Sequence, residues 1–313
     1  MINIIYQPLA AIKQAESYLN CLLDDGIQTE DFLNYIMPAN NPNMLADFIK
    51  TGTNSAKMTQ SILAKHKPDY AKANSTLLSL CNLYGWMQNK QVYQPDKDFL
   101  ELLLETPLMS FNYQSLRNMP YKNIYIDISS ASNEIHGAFV YISEITDVSI
   151  IDIILVKPDN SLQHSYYLVN HMENEYHLQE VPKRDISQEI MSIWQMFLYL
   201  CSENANVEKN QETEKTYHPG KTIKNKFSEI RKWDVGIRIG SSIRQYKKDT
   251  EQDNKTTHTI NHRKSPRPHM RKAHWHKYMT GKGRKIPVIR WIEPTFVLTK
   301  SCENLPVTVH PVV

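Results

Sequence analysis

Cysteine is scarce in this chain of 313 residues, and its spacing does not suit disulfide or metal chemistry. The four cysteines, Cys21, Cys81, Cys201 and Cys302, lie far apart and form no C-x-x-C pair. Each lies in or beside an apolar stretch, where a free cysteine behaves as a small hydrophobic residue. The spacing therefore disfavours a disulfide framework or a zinc finger, and it is consistent with a reducing cytoplasm.

Long hydrophobic runs and glycine-rich phosphate loops are also missing. No apolar run approaches the roughly 20 residues that cross a bilayer, and Lys13 and Glu16 interrupt the N-terminal apolar stretch before a signal-peptide core can form. We therefore expect a cytoplasmic protein with no membrane partner. Gly236 and Gly240 match neither a Walker loop nor a dinucleotide fingerprint. On a helix predicted over 227–246 they share one face, which favours close packing.

Negative charge is missing from residues 258–285, which hold nine Lys/Arg, five His and no acidic residue. The wider distribution is equally uneven. Residues 1–210 carry 14 Lys/Arg against 24 Asp/Glu, a net of −10, whereas residues 211–313 carry 22 against 9, a net of +13. This difference predicts that the last third binds a polyanion. The alternative is that the two parts pack together and neutralise each other.

Hydrophobic periodicity divides the chain into three regions and predicts an α+β fold. Residues 1–112 have the spacing of successive helices. Residues 113–205 alternate as strands between 121 and 170, with short loops that favour an antiparallel meander, and then form a covering helix that begins at Asp185. Residues 206–313 form a small basic α+β module. The most apolar strand, 150–156, is expected to be central because both of its faces are apolar.

The basic module combines cations with aromatic side chains, as nucleic-acid-binding segments do. If residues 274–278 are extended, His274, His276 and Tyr278 point to one face and Trp275 to the other. Lysine and arginine contact phosphates, and flat rings stack on the bases of single-stranded RNA. The predicted RNA-binding residues are Arg267, Lys272, Trp275, Lys277, Tyr278, Lys282, Arg290 and Trp291.

The histidines of this module are candidates for catalysis. RNA cleavage without a metal needs a base for the 2′-hydroxyl, an acid for the leaving oxygen and cations near the phosphorane. Histidine titrates in the range that suits both proton roles. The candidate catalytic residues are His269, His274, His276, Arg271 and Arg284. The alternative is that these histidines only bind phosphate or connect loops of the module.

A zinc-dependent nuclease is a third interpretation of the same histidines. His269, His274 and His276 give the spacing H-x4-H-x-H, and three histidines can hold a catalytic zinc. No acidic residue or cysteine lies among them, and the surrounding positive charge opposes a divalent cation. We therefore expect no metal and no other cofactor.

Residues 267–297 resemble the C-terminal signature of a type V-A anti-CRISPR family. That family has a comparable R-P-H-x-R-R-G-H-W-H stretch, a G-x-G, and then a strand rich in Arg and Trp that ends near a proline. The resemblance extends upstream to residues 125–130 and to residues 236–246. Two positions differ, since Ala273 stands for the family's glycine and Met279 for a tryptophan.

The resemblance implies a function that the residues by themselves do not. Members of this family, carried by phages and other mobile genetic elements, are understood to silence the Cas-twelve-a nuclease of a bacterial host before it is made. They recognise its N-terminal polypeptide as it leaves the ribosome and cause loss of its mRNA. The implied partners are therefore that nascent polypeptide and the mRNA or ribosome. The ribonuclease is either this chain or a host enzyme that it recruits. Without the resemblance, a non-catalytic nucleic-acid-binding protein of a mobile element is the alternative.

Overall fold

A computed structural model describes residues 7–22, 82–172, 188–210, 230–256 and 269–297, except 84, 88, 109, 112 and 146. It confirms the α+β class: helices flank a sheet of seven strands, and two small two-stranded sheets follow near the C-terminus. The predicted helix start at Asp185 and residue Arg267 lie outside the described residues, as do residues 23–81 of the predicted helical region. Within the described ranges, no helix is both long and apolar enough to cross a membrane.

The helices whose bounds are described are α1 (Gln7–Leu22), α2 (Lys97–Glu105), α3 (Tyr113–Leu116), α4 (Gln188–Cys201) and α5 (Ile237–Thr256), and residues 82–83 and 85–87 are also helical. The strands are β1 (Gln91–Pro95), β2 (Asn123–Asp127), β3 (Gly137–Ile145), β4 (Val148–Val156), β5 (Leu162–Asn170), β6 (Val207–Lys209), β7 (Arg231–Val235), β8 (His269–Arg271), β9 (His274–Thr280), β10 (Ile286–Ile292) and β11 (Thr295–Val297). The order in the main sheet is β5-β4-β3-β2-β1-β7-β6.

Strands β2 to β5 form the predicted antiparallel meander. Short connections join successive strands, so each strand pairs with the next one in sequence. The apolar strand β4 is buried on both faces and has neighbours on both sides, although it lies second from one edge of the sheet. The period-two pattern therefore correctly predicted this half of the sheet.

The other half of the sheet is parallel and brings distant parts of the chain together. β1 pairs parallel with both β2 and β7, although about 140 residues separate Val92 from its partner Lys232. The sequence pattern did not predict β1, and the helix predicted over 227–246 is wrong at its start, where residues 231–235 form β7. Pairing with β1 extends this segment, and α5 begins only after Gly236, whose φ of +71° turns the chain.

Each face of the sheet packs on helices. On one face, α1 contributes Ala11, Ile12 and Ala15 to a cluster that includes Trp86. On the other face, a larger hydrophobic cluster contains buried residues of α2, of α4 and of the C-terminal strands β9 and β10. The basic third of the chain therefore shares a hydrophobic core with the acidic part.

Asp96 connects the parallel strands to the helices that follow them. Its carboxylate caps α2 by accepting hydrogen bonds from the backbone N–H groups of Asp98 and Phe99. It also forms an ion pair with Arg244 of α5, at 2.9 Å. A Cβ atom at Gly240 would come within 1.9 Å of this carboxylate, so glycine allows α5 to approach. This contact confirms the close packing that the glycine spacing predicted.

Replacing Asp96 by alanine should reduce the free energy of unfolding by about 1–2 kcal/mol, the usual loss for an N-cap. Urea unfolding followed by circular dichroism measures the change. Asp249→Ala is the matched control, because Asp249 accepts only an i−4 hydrogen bond from exposed Gln245, worth a few tenths of a kcal/mol. Equal losses in both variants would contradict the capping role.

Candidate nucleic-acid interface

The basic residues lie on one long two-stranded ribbon, residues 269–297. β9 pairs with β10 and β8 pairs with β11, and both pairs keep the same register, since each set of partner numbers adds up to 566. The ladder is broken only at residues 272–273 and 293–294. Pro294 lies in this gap and cannot donate a backbone hydrogen bond, which interrupts the pairing. The ribbon thus has two faces and a turn at residues 281–284.

The inner face of the ribbon belongs to the core. Trp275 is 9% exposed and Trp291 is fully buried. The Trp275 Nε1–H donates to Gln195 Oε1 at 3.1 Å, and the Trp291 Nε1–H donates to Thr106 Oγ1 at 3.4 Å. The prediction that these two rings stack on RNA bases does not fit, because neither presents a face to solvent. They attach the ribbon to the sheet instead.

The outer face carries His274, His276 and Tyr278, all exposed, as the alternation predicted. The rings of His276 and Tyr278 meet edge to face, with centroids 4.2 Å apart. Arg290, opposite His276 on β10, places its guanidinium 5.3 Å from the centroid of the Tyr278 ring. Tyr278 is therefore held between strands while part of its ring remains accessible.

Glu203 and Asn204 fix the ribbon from the loop after α4. The Arg290 Nε–H donates to Glu203 at 2.6 Å, so this cation is already neutralised. The side-chain amide of Asn204 donates to the Trp291 carbonyl oxygen at 2.8 Å and accepts from the Trp291 N–H at 3.2 Å. The sequence did not indicate Glu203 and Asn204 as functional residues, because no sequence pattern relates them to partners 87 positions away.

The remaining cations of the ribbon have no acidic partner among the described residues. In the helical part, Arg244 and Lys247 pair with Asp96 and Asp98, and Arg238 pairs with Glu293. The Lys247 and Arg244 hydrogen bonds lower the pKa of Asp98. Among the described residues, no such carboxylate approaches the ribbon cations other than Arg290, which are Arg271, Lys272, Lys277, Lys282, Arg284 and Lys285. Within the described part of the chain, their positive charge is therefore not compensated by an ion pair.

The turn of the ribbon presents three of these cations together. Gly281, Gly283 and Arg284 have φ values of +75°, +77° and +50°. The Arg284 N–H closes the turn on the Gly281 carbonyl oxygen at 3.0 Å. With this backbone, Lys282, Arg284 and Lys285 are all exposed at the end of the ribbon. The turn therefore forms a compact basic tip.

The predicted catalytic residues do not form one cluster. His274 and His276 are neighbours on the outer face of β9. β9 ends at Thr280, four residues or about 13 Å along the strand from His276, and Arg284 lies beyond that point in the turn. Arg271 is exposed on β8, and the His269 side chain lies outside the described part. The structure thus brings two histidines together and places Arg284 at the other end of the ribbon.

Metal binding has no three-residue site in the described part of the chain: no group of His, Cys, Asp and Glu side chains there is arranged to hold an ion. His274 and His276 are exposed on one strand face. Arg290, which is paired with Glu203, lies opposite His276 and offers no ligand atom for a metal.

Comparison with known proteins finds a matching family, a similar sequence and a similar fold. The profile of the AcrVA2-like family, described as the anti-CRISPR type V subtype A2 family, matches residues 93–298. The chain is 24% identical over 280 aligned positions to Protein FinQ of Escherichia coli, covering 74% of this chain and 80% of that protein. Its fold is similar to the crystal structure of AcrVA2, with a TM-score of 0.56 and 18% identity, over 94% of this chain and all of the other.

Proposed function

Since the chain belongs to the anti-CRISPR type V subtype A2 family, we propose that it recognises the nascent N-terminal polypeptide of the Cas-twelve-a effector and causes loss of its mRNA. The matched region, 93–298, contains the main sheet apart from the first two residues of β1, and all of the basic ribbon. One observation carries the RNA part of the proposal. Six cations of the ribbon have no acidic partner in the described part of the chain, whereas Arg238, Arg244 and Lys247 of α5 are each paired with a carboxylate.

Contact with RNA follows from the charge and exposure of the ribbon. Phosphates are the natural partners of lysine and arginine side chains that protrude without a carboxylate. Arg290 and Arg238, which do have carboxylate partners, hold the ribbon in position instead. The ribbon would therefore bind the message or the ribosomal RNA near the site of synthesis.

Recognition of the polypeptide is assigned to the acidic part of the chain. Residues 1–210 carry a net charge of −10 and do not compete for RNA. Within the described sheet, β5 is an edge strand, and its Tyr166 and Leu168 side chains are exposed on one face. An extended peptide can add to such an edge by backbone hydrogen bonds, with alternate side chains resting on the exposed residues. This edge is the proposed place for the nascent chain in the host cytoplasm.

A reporter experiment tests the proposal as a whole. The N-terminal codons of the effector are fused to a reporter, and its mRNA is measured in cells with and without this protein. We expect a several-fold decrease that disappears when a one-nucleotide frameshift changes the peptide but leaves the RNA almost identical. An equal decrease in both frames would contradict peptide recognition. An unchanged transcript would contradict mRNA loss.

The histidines of the ribbon are the proposed acid and base if the chain itself cuts RNA. One imidazole would take the 2′-hydroxyl proton as that oxygen attacks phosphorus, and another would protonate the departing 5′-oxygen. General acid–base groups contribute about 10²–10⁴-fold each. Replacing His269, His274 and His276 by Gln should therefore abolish RNA decay and leave RNA affinity within a few-fold. His136→Gln, on a histidine outside the ribbon, is the control.

The alternative function is RNA binding without catalysis. In that case the protein either recruits a host nuclease or binds RNA without any nuclease. It is favoured by one observation, the separation of Arg284 from His274 and His276 along the ribbon. In that case the triple His→Gln variant would retain RNA decay in cells, and the purified protein would leave RNA intact. Decay by the purified protein that requires the histidines would instead assign catalysis to this chain.

A further inference from the structure

We propose that the outer face of the ribbon binds an unpaired stretch of RNA, with one base stacked on Tyr278 and the adjoining phosphates held by the turn at residues 281–284. This inference rests on the RNA contact proposed above and adds the class of RNA and the residue that selects it. Three features of the ribbon support this inference: the Tyr278 ring is accessible, the ring is fixed in position, and it lies close to cations that have no acidic partner among the described residues.

Tyr278 is the ring of the ribbon that remains available for stacking. It is 37% exposed, while Trp275 and Trp291 are buried. Phe296, on β11, packs against Tyr246 of α5 with ring centroids 4.9 Å apart. Since every base has a flat face, one accessible aromatic ring is enough to favour a base that is not already stacked in a duplex.

The surroundings of Tyr278 hold the ring in place before any ligand binds. Val288, its partner across the ribbon, is buried. His276 and Arg290 both contact the ring, and Glu203 holds Arg290. A ring that is already fixed loses little conformational entropy on binding, so more of the stacking energy becomes affinity.

The cations of the turn lie close to this ring. Tyr278 is two residues from Thr280, where the turn begins, or about 7 Å along the strand. Lys282, Arg284 and Lys285 then extend into solvent without an acidic partner in the described chain. A base on Tyr278 would therefore have its neighbouring phosphates within reach of the turn. This combination of a stacking ring and adjacent cations is typical of single-strand binding.

Two other polyanionic partners fit the ribbon less well. In duplex RNA the bases already stack on one another, so Tyr278 would have no base face to contact. An acidic peptide would neutralise the cations but would leave the exposed ring without a function. Unpaired RNA uses both features.

The test measures binding of the full-length chain to a short unstructured RNA, the same RNA in a duplex, and polyglutamate, by fluorescence anisotropy. Tyr278→Leu should weaken binding of the unpaired RNA about tenfold or more, which is the usual range for one stacked base. Its affinity for the duplex should not change. Tyr278→Phe keeps the flat ring and should bind within about twofold of the original chain.

Ile237→Ala is the control, because Ile237 is a 41% exposed apolar side chain at the start of α5, outside the ribbon, and should not affect binding. Thermal melting shows that each variant folds. The inference is overturned, with RNA contact retained, if Tyr278→Leu binds unpaired RNA normally or loses duplex binding equally. Equal competition by polyglutamate that does not depend on Tyr278 would assign the surface to an acidic protein. If the original chain binds no RNA, both the inference and the proposed RNA contact are wrong.

Discussion

Replacing Lys282, Arg284 and Lys285 by alanine together is expected to lower RNA affinity on the order of a hundredfold at low salt. These three side chains are exposed at the turn of the ribbon, and no described carboxylate neutralises them. With each phosphate contact that is lost, fewer counterions are released when the protein binds RNA. The slope of log affinity against log salt should therefore fall by roughly 0.7 per contact, or about 2 for the three. Anisotropy titrations at several salt concentrations measure both quantities.

The control for this triple variant removes the same charge from elsewhere on the protein. Lys13 on α1, Lys157 after β4 and Lys209 on β6 are exposed and do not belong to the ribbon. Their triple alanine variant should change affinity by less than about threefold, the part that net charge alone contributes. If both triple variants lose affinity equally, the interaction is a general effect of net charge and the turn has no particular role.

Replacing Trp291 by alanine should reduce the free energy of unfolding by about 3–5 kcal/mol, the usual cost of removing a large buried ring. Trp291 is fully buried, and it contacts Phe99 of α2 and Tyr199 of α4 edge to face, with centroids 5.5 Å and 5.7 Å away. Its removal leaves a cavity at the point where the ribbon joins the core. Urea unfolding measures the loss, which is a large part of a typical domain's stability.

Two comparisons separate this structural role from RNA stacking. Trp291→Phe keeps most of the buried area and should lose less stability than the alanine variant. Tyr278→Leu, on the exposed face, should unfold at nearly the same urea concentration as the original chain. A Trp291→Ala variant of unchanged stability and reduced RNA affinity would contradict the burial of this ring and support the stacking role that the sequence suggested.

The sequence predicted the parts of the fold in which neighbours along the chain are also neighbours in space. Strands β2 to β5 follow one another through short loops, so the alternation of apolar residues was enough to predict their pairing. The same holds for the ribbon, where His274, His276 and Tyr278 share a face because strand side chains alternate. The glycine spacing predicted close packing at Gly240, but it did not indicate that α2 is the partner.

The sequence did not predict contacts between distant segments. β1 is five residues long and has no clear alternation, and it is fixed by parallel partners on both sides. β7 begins a segment whose spacing also suited a helix, and only the presence of β1 decides between the two. Glu203 and Asn204 lie in a polar loop that has no distinguishing pattern. They can hold β10 only because that loop passes beside this strand.

By itself, the sequence determined that a basic, histidine-rich and aromatic segment ends this chain, and that this segment alternates as strands. Composition and period are local properties, so they can be read without knowing the fold. Only the tertiary structure decided which aromatic rings are available. Trp275 and Trp291 are buried because the inner face of the ribbon covers α2 and α4, whereas Tyr278 faces outward. The structure also decided which of the described cations form ion pairs, because charge compensation depends on carboxylates that are distant in sequence.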